Sequence, residues 1–260
     1  MIPIKTEKEI DRMRESGRHA AAIIEKVSAM IRPGVTTGEI DSAAADLMSE
    51  HRCTSAFLGY KKFPGHICIS LNEEVVHGIG GKRRIQYGDI VKLDIGVFYQ
   101  GYVGDTATTV AVGAIDPKIQ RLLDVTEDSL YLAIKQAIPG NRVGDISSAV
   151  EDEIVANGFS VVREFVGHGV GRKLHEEPQV PNFGRSSSGA KLKPGMTLAI
   201  EPMVNMGTSA VKILADGWTV VTADTRPSSH FEHTVLITQG EPEILTWREK
   251  AMPVVVTAKI

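Results

Sequence analysis

Two aspartates, Asp94 and Asp105, lie eleven residues apart in apolar segments, a spacing that could bring their carboxylates together. Asp94 alternates with Leu93 and Ile95, so its side chain would occupy the opposite face of a strand. A tight turn at 99–102 would return the chain and set the two carboxylates opposite or diagonal, about 5–8 Å apart. Because like charges at that distance repel, the pair predicts either a bound cation or a solvated polar face.

Three further residues favour the cation over the solvated face. His168 stands in a glycine-rich run, Glu201 stands between aliphatic residues, and Glu232 precedes an apolar segment. Taken singly, a glycine-flanked histidine is more often structural than a ligand. Together, four carboxylates and one imidazole suit hard or borderline divalent ions such as Mn²⁺, Fe²⁺, Co²⁺ or Zn²⁺. Four carboxylates carry enough charge for two ions, and a pair of ions about 3.5–4 Å apart is a common hydrolytic arrangement.

Hydrophobic periodicity predicts the elements that must position these residues. Helices are predicted over 7–30, 38–51, 117–137 and 144–157. Strands are predicted over 67–71, 90–98, 103–112, 160–164, 197–204, 217–223, 230–237 and 243–245. Since no linker or low-complexity stretch divides the chain, we expect a single mixed α/β domain spanning 1–260.

An internal repeat relates the two halves of the chain. Residues 33–48 align with 139–154 at seven identical positions, beginning with Pro-Gly in both. At nearly the same offset, 88–94 aligns with 195–201, and each segment runs from a glycine to a carboxylate. The repeat predicts two related helix-plus-sheet halves with pseudo-twofold symmetry, with Asp94 and Glu201 at equivalent positions near the axis. The alternative is that Pro-Gly turns before helices are common and the alignment is a coincidence.

Composition narrows the class of protein further. The 260 residues carry a formal net charge of −3, with 42% hydrophobic and 23% charged residues. This balance offers no broad basic field for nucleic acid or an anionic membrane. No apolar run reaches the roughly 18 residues of a membrane span, and the first residues lack a signal-peptide pattern. Two cysteines, Cys53 and Cys68, are too few for a disulfide framework or a thiolate zinc site. We therefore expect a globular cytoplasmic protein.

The ordered motifs of the chain resemble those of the methionine aminopeptidases. Besides the aspartate pair, the resemblance rests on the segments 72–78, 167–172, 175–178, 199–203 and 231–234. It extends from about residue 5 to residue 247 and implies the pita-bread fold, in which two α/β halves surround a curved antiparallel sheet. The interval between Glu201 and Glu232 has no room for the helical insertion of the type II enzymes, so the resemblance is to type I.

The resemblance implies a site for two divalent metal ions, with the ligands Asp94, Asp105, His168, Glu201 and Glu232. Asp105 and Glu232 would bridge the ions, Asp94 would chelate one, and His168 with Glu201 would complete the other. A water shared by the ions would attack the scissile carbonyl, and Glu201 would accept its proton.

The resemblance also assigns roles to two other histidines. His175 would donate a hydrogen bond to the carbonyl oxygen as negative charge develops there. His77 would contact the scissile amide nitrogen. Without the matching motifs, both would more often be structural histidines.

An apolar methionine pocket is implied at the positions Phe57, Tyr60, Phe63, Cys68, Leu174 and Trp218. Aromatic and sulfur-bearing walls suit a thioether side chain. Four residues depart from the bacterial pattern: Phe57 stands where Cys is frequent, Phe63 where Tyr is frequent, Leu174 where Phe is frequent, and Gly80 where Pro is usual. These departures leave the shape and width of the pocket open.

The implied activity is removal of the initiator methionine from nascent, deformylated polypeptides whose second residue is small. We expect a monomer, with the ribosome exit region as a candidate partner and no membrane or specific nucleic-acid partner. Two alternatives stand beside this hypothesis. One is an Xaa-Pro aminopeptidase or prolidase, which shares the ligand set but carries a large additional N-terminal domain. The other is a non-catalytic pita-bread binding protein, which typically lacks some of the ligands.

Overall fold

The computed structural model describes residues 1–248. The last part of the predicted domain, 249–260, lies outside this range. Four helices pack against the sheets: α1 (Glu7–Ala29), α2 (Thr37–Glu50), α3 (Pro117–Lys135) and α4 (Val143–Ala156). Each agrees with a predicted helix to within two residues at either end. Among the described residues, no helix combines the length and the apolar character that crossing a bilayer requires.

Fifteen strands complete the described part of the chain. They are β1 (Thr54–Ser55), β2 (Cys68–Leu71), β3 (Glu74–Val76), β4 (Ile90–Tyr99), β5 (Tyr102–Ala111), β6 (Ser160–Val161), β7 (Gly167–Gly169), β8 (Glu176–Val180), β9 (Thr197–Ile200), β10 (Met203–Asn205), β11 (Val211–Ile213), β12 (Val220–Thr222), β13 (Ser228–His230), β14 (Glu232–Leu236) and β15 (Glu243–Ile244).

A nine-stranded antiparallel sheet forms the centre of the molecule. Its order is β1-β4-β5-β14-β9-β7-β8, with β2 also pairing β4 and β15 pairing β14. Two three-stranded sheets, β13-β10-β6 and β11-β12-β3, lie beside it. The long β4–β5 hairpin is in continuous register from Ile90↔Ala111 to Tyr99↔Tyr102, as the alternation predicted.

Glycines at matching positions of the two halves have the same backbone conformation, which supports the predicted repeat. Gly34 and Gly140, each before the second helix of its half, have φ of 92° and 98°. Gly88 and Gly195, each before a central strand, have φ of 91° and 87°. This left-handed region is one that residues with a Cβ rarely adopt. The order helix, helix, central strand therefore recurs with the same turns in α1-α2-β4 and in α3-α4-β9.

Each half has its own hydrophobic core between its helices and its side of the sheet. In the first half, Ile24 of α1 and Ile40 of α2 pack against Leu93 and Ile95 of β4. In the second half, Ile134 of α3 and Ile146 of α4 share a core with Leu198 of β9, among other residues. In β4, Leu93 and Ile95 face the helices, so Asp94 between them projects from the opposite face.

Two predicted strands are wrong as continuous elements. The predicted strand 197–204 is interrupted at Glu201 and Pro202, so β9 lies in the central sheet and β10 lies in a small one. The predicted strand 230–237 is interrupted at Phe231, which separates β13 from β14 in the same way. Pro202 has no N–H to continue a ladder, which explains the first interruption. Glu201 and Glu232 thus stand where the chain passes between sheets.

The other late strands are shorter than predicted, and some were missed. Strand structure covers 160–161 rather than 160–164, 220–222 rather than 217–223, and 243–244 rather than 243–245. Five strands were not predicted from the sequence: β1, β3, β7, β8 and β11. These strands have two to five residues, too few for an alternating pattern to stand out from the flanking loops.

Candidate metal centre and active-site cavity

Asp94 and Asp105 lie diagonally across the β4–β5 hairpin, as their spacing predicted. Asp94 pairs with Ala107, and Asp105 pairs with Gly96, two positions along each strand. Residues two apart along a strand point to the same face. Both aspartates therefore project from the face of the sheet that the helices leave free.

His168, Glu201 and Glu232 reach the same point from the second half of the sheet. His168 is in β7, Glu201 directly follows β9, and Glu232 begins β14, which pairs with both β5 and β9. The His168 Nε2 atom lies 3.4 Å from Glu201 Oε1 and 3.8 Å from Asp105 Oδ2. Asp105, His168 and Glu232 each offer one ligand atom, and these three atoms lie within 4.8 Å of one another. The structure thus brings the predicted ligands together, with Asp94 diagonal to Asp105.

The polar atoms of this cluster lack enough partners within the protein. Asp105 and Glu232 are 3% and 2% exposed, yet Asp105 Oδ1 and Glu232 Oε1 have no hydrogen-bond partner among the described residues. Burial, together with the neighbouring carboxylates, raises the pKa of both groups well above the usual range. Buried, unpaired carboxylate oxygens are costly unless a cation satisfies them. Oxygen ligands with one imidazole fit a hard or borderline divalent ion.

Metal-dependent stabilisation should therefore increase with pH. Burial raises the pKa of Asp94 to about 7 and that of Glu201 to about 8. In the metal-free protein, the stability that their protonated forms provide is lost as pH rises through these values. Metal ions bind the deprotonated carboxylates, so bound metal removes this penalty.

We expect the melting temperature with Mn²⁺, minus that with a chelator, to grow between about pH 6 and about pH 8. Differential scanning fluorimetry of the same protein in both conditions measures this difference. Contributions from groups outside the site cancel in the subtraction. A difference that stays constant across the range would contradict a carboxylate metal centre.

His230 belongs to the site, although the sequence analysis did not select it. It is 1% exposed, and its Nε2 atom lies 3.5 Å from Glu201 Oε2 without a hydrogen-bond partner in the described chain. Burial lowers its pKa to about 4, so the ring is neutral near pH 7. Its position two residues before Glu232, on the same face of the predicted strand 230–237, was the available signal.

His77 lies at the cavity wall in a strained backbone conformation. It follows β3 with φ of 60°, and its ring packs edge-on against Phe165 at 5.3 Å and Trp218 at 6.2 Å between centroids. Burial, with smaller contributions from His230, His175 and Lys61, lowers its pKa to about 4. A neutral imidazole at this position can donate or accept a hydrogen bond.

His175 lies directly before β8 and beside the metal cluster. Its ring centroid is 4.1 Å from that of His168 and 5.2 Å from that of Tyr60, on which it stacks. The next residue, Glu176, forms a buried ion pair with Lys5 at 2.8 Å. This ion pair fixes the turn that carries His175.

One cavity of about 270 Å³ connects these groups. Its walls include the five predicted ligands, both predicted histidines, and the six residues predicted for the methionine pocket: Phe57, Tyr60, Phe63, Cys68, Leu174 and Trp218. It is also lined by residues that the sequence analysis missed, namely Lys61, Val76, Phe165, Val166 and Met203. The metal cluster and the apolar pocket are therefore two parts of one cavity.

Phe57, which stands where bacterial relatives often have Cys, packs against a glycine in β4, Gly96. A Cβ atom at Gly96 would lie 2.5 Å from Phe57 Cε1, so the phenyl ring occupies the space of the missing side chain. Gly80 is similarly enclosed, since its Cβ would lie 2.8 Å from Asp41 Cβ. At both positions the unusual residue fits the local packing.

The chain is similar in sequence and structure to known metallopeptidases. Residues 11–239 match the family described as metallopeptidase family M24. The methionine aminopeptidase of Clostridium perfringens is 49% identical over 246 residues, which cover 95% of this chain and 99% of the relative. The crystal structure of methionine aminopeptidase from Thermotoga maritima superposes with a TM-score of 0.94 at 44% identity, covering 95% of this chain and 100% of that one.

The prolidase of Pyrococcus furiosus shares the fold with a TM-score of 0.76 at 24% identity. The match covers 95% of this chain but only 66% of the prolidase. These structural neighbours confirm the predicted pita-bread fold, and the similarity to the aminopeptidases over almost their whole length favours the main hypothesis over both alternatives. The chain belongs to metallopeptidase family M24, within the bacterial type I methionine aminopeptidases.

Proposed function

We propose that the chain removes the N-terminal methionine from polypeptides whose second residue is small, using two divalent ions. The observation that carries this proposal is the joining of a buried acidic cluster and an apolar, aromatic-lined pocket in one cavity. The cluster supplies hydrolytic chemistry, and the pocket selects the side chain of the first residue.

The proposed metal ligands are Asp94, Asp105, His168, Glu201 and Glu232. When bound, divalent ions at such a site lower the pKa of water and polarise a carbonyl group. Their identity depends on availability as well as on the ligands, and Mn²⁺, Fe²⁺, Co²⁺ and Zn²⁺ all suit this set.

Three side chains of the cavity have proposed roles in the reaction. Glu201 accepts the proton of the attacking water, because its carboxylate borders the cluster, with Oε1 3.4 Å from His168 Nε2. His175 donates a hydrogen bond to the scissile carbonyl oxygen. His77 holds the scissile amide nitrogen.

The pocket explains why methionine would be chosen. Phe57, Phe63 and Leu174 are buried, and the Phe63 ring packs edge-on against Trp218 at 5.1 Å between centroids. Ring edges and the Cys68 thiol make favourable contacts with a linear thioether. The free amino group of the substrate would lie toward the carboxylates, where a formyl cap could not replace an amine.

We propose nascent chains after deformylation as the substrates, encountered in the cytoplasm and at the ribosome exit region. We propose that the chain acts as a monomer, because the five ligands and the pocket walls all come from one chain.

We expect Met-Ala, Met-Gly and Met-Ser peptides to be cleaved and Met-Lys, Met-Glu and Met-Trp peptides to be resistant. His77, His168 and His175 line the same cavity as the metal cluster, so we expect them to leave little volume for a large second side chain. Leu-Ala should be disfavoured about 10–200-fold, since a misfit of one methylene has an effect of that size.

Liquid chromatography of the released amino acid, with Mn²⁺ and with a chelator, measures each rate. Equal rates on Met-Ala and Met-Trp, or efficient cleavage of formyl-Met-Ala, would indicate a broader peptidase. Full activity in the chelated sample would reject the metal-dependent mechanism.

A further inference from the structure

One positively charged side chain, Lys61, lines the active-site cavity. Among the described residues that form its walls, Lys61 is the one lysine or arginine, and every carboxylate belongs to the buried metal cluster. The lysine is exposed, so it lies where the cavity opens to solvent. A flexible substrate chain leaving the cavity would encounter this charge first.

The direction of Lys61 is set by a strained turn. Lys61 and Lys62 both have positive φ, of 47° and 74°. Hydrogen bonds from Gly59 N to Phe63 O and from Phe63 N to Tyr60 O, each 2.8 Å, close the turn. Non-glycine residues rarely adopt this conformation, and where they do the surrounding structure must enforce it. The same turn therefore positions Lys61 together with Tyr60 and Phe63, which line the pocket.

Lys61 lies close to both histidines proposed to flank the scissile bond. Its Nζ atom is 5.5 Å from the centroid of the Tyr60 ring, which stacks on His175. Its charge contributes to the lowered pKa of both His77 and His175. The ammonium group is therefore near the scissile bond but on its solvent side.

The residues that follow the scissile bond must pass this charge. An extended chain advances about 3.3–3.6 Å per residue, so the third and fourth residues of a substrate lie about 7–11 Å from its first residue. The adjoining groove, which shares His168 and His175, carries the oppositely charged Lys173 and Glu177, which offset each other. Glu176 in the same groove is neutralised by Lys5. The N-terminal ammonium group of Met1 also lines this groove. Lys61 is the lysine whose charge acts on both His77 and His175.

Resting on the proposed function, we propose that Lys61 is a specificity determinant that favours substrates with Asp or Glu at the third or fourth position. Acidic side chains gain an ion pair with the ammonium group, whereas Lys or Arg is repelled. Because the charge is exposed, the effect should be about two- to fivefold in kcat/KM and should weaken with salt.

The test compares the peptides Met-Ala-Asp-Ser, Met-Ala-Asn-Ser and Met-Ala-Lys-Ser with the Mn²⁺-loaded full chain at low and high ionic strength. We expect the wild type to prefer Asp over Asn and Asn over Lys at low ionic strength. Lys61→Met should remove the preference, Lys61→Glu should reverse it, and Lys61→Arg should retain it. Lys62→Met is the matched control, because this neighbouring lysine shares the turn but does not line the cavity, and it should retain the preference.

The outcomes test the role of Lys61 separately from the proposed peptidase function. Equal rates on the three peptides in the wild type, or the same preference in Lys61→Met as in the wild type, would overturn the role of Lys61 and leave the proposed function intact. An equal loss of preference in Lys62→Met would attribute the effect to the turn rather than to the Lys61 charge, and would also overturn it. Failure to cleave any of the three peptides would overturn the proposed function and this inference with it.

Discussion

Glu201→Gln is expected to lower kcat/KM for Met-Ala peptides by a factor of about 10²–10⁴, the usual contribution of a general base. Glutamine retains the size of the side chain and one oxygen that can bind metal, but it cannot accept a proton near neutral pH. Glu201 follows β9 at the point where the chain leaves the central sheet, with its carboxylate between His168 and His230. The substitution therefore changes the chemistry more than the packing.

Isothermal titration calorimetry with Mn²⁺ separates loss of the base from loss of metal, and rates should be compared at saturating metal. Glu50→Gln, at the exposed C-terminal end of α2, is the control for a carboxylate-to-amide change remote from the cavity. Near-wild-type turnover in Glu201→Gln at saturating metal would show that another group accepts the proton.

The aspartate pair of the candidate metal centre could be predicted because Asp94 and Asp105 lie on the two long strands β4 and β5, whose alternation is clear. The eleven-residue spacing of Asp94 and Asp105 requires a hairpin, and the observed register places them diagonally, as expected. The internal repeat could also be seen in the sequence. The glycines before the second helices and before the central strands are part of it, and their matching positive φ values support it. Long elements with strong periodicity are the features that sequence specifies most directly.

Features that depend on contacts between distant segments were not predictable. The apolar run 197–204 contains no signal that β9 and β10 join different sheets, except Pro202. Lys92 is 2% exposed, and its ammonium group donates to the carbonyl oxygens of Asn72 and Ser228, although its charge would suggest a solvated position. His230 was missed for the same reason, because its role depends on Glu201, which comes from another strand.

His175→Ala is expected to reduce kcat by about 10²–10³ with a smaller change in KM. Removal of one hydrogen-bond donor to a developing oxyanion has an effect of this size, about 2.7–4 kcal/mol. Burial, with a smaller contribution from the Lys61 charge, lowers the pKa of His175, so the imidazole is neutral and can donate from one nitrogen near pH 7. Its ring is held between Tyr60 and His168, and the Lys5–Glu176 ion pair fixes the adjacent backbone.

A preorganised donor stabilises the transition state more than the bound substrate, so its loss should appear mainly in kcat. Steady-state kinetics on a Met-Ala-Ser peptide measure the two parameters separately. His51→Ala, at the end of α2 and outside the cavity, is the matched control and should leave both unchanged. If His175→Ala raised KM with kcat intact, His175 would bind the ground state and the transition state equally, and oxyanion stabilisation would have to come from the metal centre.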